Sequence, residues 1–217
     1  MSCYPYGRIQ ADRGSLLWKG RLGLTAGSGP NDIWLHAASV GEVRVISYLV
    51  DFLLHEEPSL RIHITAMTKA GFAMALKLFT QDNFSLSYFP FDSPAIVRRT
   101  LDAVKPRMLV VAETEIWPNL ITEAADRKIP VLLVNARMSE KAFGKYKLIR
   151  RSLGKLLRTY DHFFFKTDGD AERYKYFGIE SERVSLAGDM KFDAPLLERS
   201  EGRRRQIRER AGIPADA

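Results

Sequence analysis

Short apolar runs alternate with longer amphipathic ones along almost the whole chain, and that alternation is the strongest constraint on its fold. Runs such as Met108-Leu109-Val110-Val111-Ala112 are apolar on consecutive residues, as expected of strands covered on both faces. Strands are expected near Ile33 to Ala37, Arg61 to Ala66, Leu86 to Phe89, Met108 to Ala112, Val131 to Asn135, His162 to Lys166 and Val184 to Leu186. Helices are expected to begin near Gly41, Lys69, Pro94, Pro118, Ser139 and Gly169. Alternating strands and helices define an α/β class, a Rossmann-like parallel sheet with helices on both faces, whose ligands bind beyond the carboxyl ends of the strands. Residues 1–30, rich in glycine and without a period, read as an entry segment, 31–195 as the Rossmann-like domain, and 196–217 as a charged linker or the start of a further domain.

Four loops follow strands and carry chemistry. The first, His36-Ala37-Ala38-Ser39-Val40-Gly41-Glu42, has small residues and a glycine at a helix N-terminus. There Glu42 is either a carboxylate favoured by the helix dipole or a base for a substrate hydroxyl, and Ser39 and Gly41 are candidate contacts. The loop lacks GxGxxG, so nicotinamide dinucleotide binding is not supported. The second, Glu113-Thr114-Glu115-Ile116-Trp117-Pro118-Asn119, places Glu113 and Glu115 beyond an apolar strand. One acid could cap the next helix and Trp117 could be a core lid; alternatively the acids position a hydroxyl and the indole is a platform. The third, Asn135-Ala136-Arg137-Met138-Ser139-Glu140, offers Asn135, Arg137 and Ser139 as polar contacts, and Gly188-Asp189-Met190-Lys191-Phe192-Asp193 is a weaker fourth.

The net charge of +7 equals that of one stretch: Lys141, Lys145, Lys147, Arg150, Arg151, Lys155 and Arg158 lie in 141–158 without an acid among them. Read as one helix, this stretch gathers Ala142, Ile149, Leu153, Leu156 and Tyr160 on one arc, with Lys147, Arg151, Lys155 and Arg158 opposite. A solvated face usually mixes signs, so a phosphate or an anionic membrane surface is the expected partner, and nucleic acid is not. One cysteine and four scattered histidines offer no spaced metal-ligand set. No apolar run reaches the ~20 residues of a membrane span.

In this order, HAASVGE, ETEIWPN, NARMSE and GDMKFD resemble the 3-deoxy-D-manno-octulosonic acid (Kdo) transferases, the family 30 glycosyltransferases of lipopolysaccharide synthesis, over roughly residues 20 to 195. The resemblance implies a GT-B enzyme whose N-terminal domain, matched here, receives the lipid A precursor, while a C-terminal domain missing from this chain binds the donor CMP-Kdo. It implies Glu42 as general base, an essential carboxylate among Glu113 and Glu115, and acceptor contacts from Ser39, Gly41, Asn135, Arg137 and Ser139. Lys147, Arg151 and Lys155 are then the anion or membrane contacts. Inverting transfer without metal or resident cofactor, and a peripheral place on the cytoplasmic face of the bacterial inner membrane, follow from the same resemblance. Two departures stand out: MSCYPYGRIQADRG replaces the family's apolar anchor, and Lys166 occupies a position where glutamine is expected. The alternative is a binding module without chemistry, a truncated transferase that holds an anionic glycolipid or membrane surface.

Overall fold

Each apolar run becomes a strand of one parallel sheet. The computed structural model describes residues 13–24 and 29–193; the charged tail 196–217 lies outside the described residues. The strands are β1 (Asn31–His36), β2 (Ile62–Ala66), β3 (Phe84–Tyr88), β4 (Pro106–Ala112), β5 (Val131–Ala136), β6 (His162–Phe165) and β7 (Val184–Leu186), in the order β3-β2-β1-β4-β5-β6-β7. All six pairings are parallel. The intervening helices are α2 (Val40–Glu56), α3 (Lys69–Leu78), α4 (Pro94–Val104), α5 (Pro118–Asp126), α6 (Glu140–Tyr146), α7 (Arg150–Leu157) and α8 (Asp168–Lys175).

Period-two alternation in the central strands divides the core into two layers. Leu109, Val111 and Leu133 point into one layer with Leu120, Ile121, Leu153 and Leu157, whereas Val110, Ala112 and Val134 point into the other with Val43, Ile46 and Phe72. Helix α2 buries Val43, Ile46 and Val50, a three- and four-residue spacing that lays one stripe on the sheet. Pro94 and Pro118 each open a helix in its first turn, where proline's missing N–H costs nothing.

Two expectations change. Within the entry segment, Arg13–Arg21 forms a helix, α1, despite its lack of period. Its anchor is long-range: the Arg21 guanidinium donates to the carbonyls of Met67 (2.7 Å) and Phe89 (3.0 Å). The basic segment is also not one helix, because a 3₁₀ turn at Lys147–Ile149 separates α6 from α7. Three residues at three per turn rather than 3.6 slip the helical phase by about 60°. Leu153 and Leu157 therefore seal the core, while Ile149, expected on the buried arc, is exposed.

Candidate active site

Strand order reverses direction between β1 and β4, so the loops leaving those two strands diverge and open a crevice. Glu42 stands there, on the first turn of α2. Ser39 is the helix N-cap, its hydroxyl oxygen accepting from Glu42 N at 3.4 Å. The Glu42 carboxylate in turn accepts from Ala38 N at 2.7 Å and from the Ser39 hydroxyl at 2.8 Å. This is a capping box reaching one residue further back than usual, so the dipole-favoured role is fulfilled. It does not exhaust the group, since two donors occupy two of about four lone-pair sites on an ionised carboxylate. Burial raises the Glu42 pKa from its ordinary value; the two hydrogen bonds oppose that, and the charges of Glu115 and Glu113 add to it. A buried carboxylate made more basic by neighbouring acids is suited to take a proton. Gly41 beside it is exposed.

Beyond β4, Glu113 adopts a left-handed backbone (φ 60°) and is 7% exposed. Its carboxylate meets Arg137 Nε at 3.0 Å, which joins the second loop to the third. Glu115 faces a different partner, His36 Nε2 at 3.8 Å. His36 is wholly buried, with Nδ1 3.0 Å from the Thr65 hydroxyl and its ring 4.0 Å from that of Phe89. Trp117 packs on Phe89 at 4.6 Å and edge-on to His36 at 6.2 Å, so it serves as a lid rather than an open platform.

Asn135 also takes a left-handed backbone (φ 52°), where the β5·β6 register shifts between Leu133 and Ala136. Its side-chain Oδ1 accepts from Met190 N at 3.2 Å, and Lys166 Nζ meets Asp189 at 2.7 Å. The weak fourth motif is thereby fastened over the ends of β5 and β6, and the unexpected lysine is half of that fastening. Burial works against the Asp189 carboxylate, but Lys166 and the Lys191 N–H hold its pKa below the ordinary value. Arg137, Ser139, Tyr146, Lys166 and Arg173 line a cleft of about 480 Å³ at this end. Ser139 caps α6 by accepting from Ala142 N at 3.2 Å.

The structure thus gathers Ser39, Gly41, Glu42, Glu113, Glu115, Asn135, Arg137 and Ser139 at the carboxyl ends of the strands. It does not gather Lys147, Arg151 and Lys155 with them. The segment from α6 through α7 runs from the end of β5 back to the opposite end of the sheet, where Asp161 bonds Val131 N at 2.8 Å. Two residues at the mouth have no role assigned by the sequence alone. His36 looks like one more strand residue in an apolar run. Asp170 holds the third loop by accepting from Met138 N at 2.8 Å, and its signal was legible as the capping pattern Thr167-x-x-Asp170.

Fold and mouth together define a Rossmann-like α/β domain with a carboxylate-rich site at its topological switch point. The chain belongs to the 3-deoxy-D-manno-octulosonic-acid transferase (kdotransferase) family, whose sequence profile matches residues 17–194. Among curated relatives, the 3-deoxy-D-manno-octulosonic acid transferase of Haemophilus influenzae is 33% identical over 164 residues, covering 76% of this chain and 38% of that protein. The corresponding transferase of Chlamydia pneumoniae is 26% identical over 88% of this chain and 44% of its own. A bifunctional glycosyltransferase/methyltransferase of Fusobacterium nucleatum is 30% identical over 81% of this chain and 28% of its own. The chain therefore spans less than half the length of each of these relatives. Among solved structures, UDP-GlcNAc 2-epimerase from Neisseria meningitidis bound to UDP-GlcNAc superposes with a TM-score of 0.54 at 16% identity, over 85% of this chain and 54% of that one, a likeness of fold. No helix among the described residues is long and apolar enough to cross a membrane.

Proposed function

We propose that this chain is the acceptor-side half of a GT-B Kdo transferase, acting with a donor-binding domain outside the 217 residues. In this reading the acceptor is a lipid A precursor on the cytoplasmic face of the bacterial inner membrane, and the donor is CMP-Kdo. Glu42 removes the proton from an acceptor hydroxyl as its oxygen bonds to C2 of the sugar. The bond from C2 to the phosphate oxygen breaks, its electron pair leaves with CMP, and the configuration at C2 inverts. Glu113, held by Arg137, and Glu115, against His36, fix the hydroxyl-bearing ring and keep Glu42 basic. Ser39 and Gly41 shape the floor beneath the hydroxyl. Arg137, with Asn135 and Ser139 beside it, contributes to an approach for the acceptor's anionic groups.

The observation that carries this reading is Glu42 itself: a carboxylate at the switch point, oriented by two donors and raised in pKa by burial, with two more acids adding to the rise. The deacylated, bis-phosphorylated headgroup of the acceptor, titrated into the labelled chain, is expected to shift amide resonances at 38–43, 113–117 and 135–140. In the enzyme carrying both domains, Glu42→Ala is expected to abolish transfer and leave headgroup binding within a few-fold. Wild-type turnover by that variant, or shifts confined to other surfaces, refutes the assignment.

A further inference from the structure

Where the basic segment breaks, two large aliphatic side chains stand together in water. Leu148 is 88% exposed and Ile149 52%, adjacent on the crest of the Lys147–Ile149 turn. The cations beside them are braced: Lys147 Nζ sits 4.4 Å from the centre of the Phe143 ring, and the Arg150 guanidinium carbon 4.6 Å from that of Tyr176. Next to them Arg150, Arg151 and Arg158 line a recess of about 360 Å³ with Phe177 and Gly178. Arg158 donates to the Phe177 carbonyl at 3.4 Å. Among the described residues none of the seven cations of 141–158 has a carboxylate partner, whereas Arg98, Arg127 and Arg183 elsewhere all do.

Three guanidiniums around one recess, without an acid, form a receptor for a phosphate group. A soluble phosphate ester would fill the recess and leave Leu148 and Ile149 wet. An anionic bilayer satisfies both features, because its phosphates lie at the level of the guanidiniums and its acyl region begins just beneath. We propose that the Lys147–Ile149 turn is an interfacial anchor: Leu148 and Ile149 enter the headgroup–acyl boundary of an anionic bilayer while Arg150, Arg151 and Arg158 hold a lipid phosphate. The inference rests on the acceptor-side reading and adds to it the residues that meet the membrane. Leu148 lies nine residues beyond Ser139, about 13 Å along a helix, and two beyond Tyr146, which lines the mouth's cleft. An amphiphile can then present its head to the cleft while its tails stay in the bilayer touched by the turn.

Cosedimentation of the 217-residue chain with phosphatidylcholine vesicles, with and without phosphatidylglycerol, across a salt series tests this. The wild type is expected to need the anionic lipid and to retain weakened binding at high salt. L148S/I149S, at exposed positions and therefore expected to melt like the wild type, is expected to lose about tenfold at every salt concentration. Arg151→Gln is expected to lose about fivefold at low salt and to converge on the wild type at high salt. A fluorophore at Leu148→Cys, in a Cys3→Ser background, is expected to shift to the blue on vesicles. L148S/I149S binding like the wild type, an unshifted fluorophore, or release of the protein by millimolar inorganic phosphate, which marks a soluble-phosphate site, each overturns the anchor. Failure of the anchor leaves the headgroup titration untouched, and failure of the transferase reading leaves vesicle binding untouched, so the two are distinguishable.

Discussion

Replacing Glu113 by glycine is expected to leave the chain more stable than replacing it by alanine, while either change removes a group the proposed site requires. The residue holds φ at 60°, where a Cβ crowds its own backbone at a cost of about 1–2 kcal/mol. Glycine pays no such cost, but gives up about 0.5–1 kcal/mol more backbone entropy on folding than alanine does. The carboxylate itself is nearly buried with a single cationic partner, and that partner is half-exposed. Comparing Glu113→Gly with Glu113→Ala cancels the loss of the Arg137 pair, because both variants lack it. What remains is the backbone term, so the glycine variant is expected to exceed the alanine variant by about 0.5–1 kcal/mol. In a chain of this length that is a melting shift of about 1–4 °C.

Urea and thermal unfolding of the two variants measure this directly. Lys105 (φ 46°) and Lys128 (φ 58°) lie in turns remote from the mouth and provide controls. Glycine at either should stabilise over alanine by a similar amount, without touching headgroup binding. An ordinary position shows the reverse order, alanine over glycine. If Glu113→Ala proves as stable as Glu113→Gly or more so, the claim that the site stores backbone strain at Glu113 is wrong.

Three further outcomes follow from the same geometry. Because its pKa is raised in the folded state, Glu42 contributes stability that is complete below the unfolded carboxylate pKa of about 4.3 and is lost as pH rises through the folded value. Glu42→Gln removes that slope, so its stability relative to the wild type should improve from pH 4 to pH 7 while transfer is lost; a parallel pH dependence of the two melts contradicts the raised pKa. Gly154→Ala, which in an ordinary helix interior would gain up to ~1 kcal/mol, is expected here to cost about 1–3 kcal/mol. A Cβ at that position would lie 2.5 Å from the Phe177 carbonyl oxygen, and a melt at or above that of the wild type shows that α7 does not approach the turn after α8 that closely. Asp189→Asn breaks the Lys166 pair at the mouth. Since the Asp189 pKa is lowered, the stability it adds is present above the unfolded carboxylate value and lost as pH falls through the folded one, so the variant's deficit should shrink on acidification, and a deficit unchanged down to pH 3 speaks against the pairing.

The seven strands and the six expected helices were legible because both signals are local. A parallel strand buried on both faces must be apolar on consecutive residues, as in Met108 to Ala112, and the turn that ends it must change composition. The four motifs therefore fall at strand ends, and the carboxyl-end rule gathers such ends at one mouth. Helix α1 was not legible, because Arg21 holds it through carbonyls 46 and 68 residues away. Nor was the left-handed backbone of Glu113, a residue type with no preference for it. The basic segment was misjudged for a subtler reason: a helical wheel assumes one unbroken phase, and three residues of tighter turn are enough to move Ile149 from the expected core into water.

That slip also separates two tasks which a single helix would have merged. Had 141–158 run unbroken, Ile149 would lie on the buried arc and Leu148 would stand alone among the cations. The 3₁₀ turn instead brings Ile149 out beside Leu148, while Leu153 and Leu157 remain available to seal the core. Among the described residues the cations lining the mouth's cleft are Arg137, Lys166 and Arg173, each already facing a carboxylate. Burial, with the charges of Glu115 and Glu113 adding to it, therefore keeps Glu42 basic, whereas the unpaired positive charge is displaced along the segment. A base that must accept a proton and a surface that must attract phosphate impose opposite electrostatics, and distance along one helical segment reconciles them.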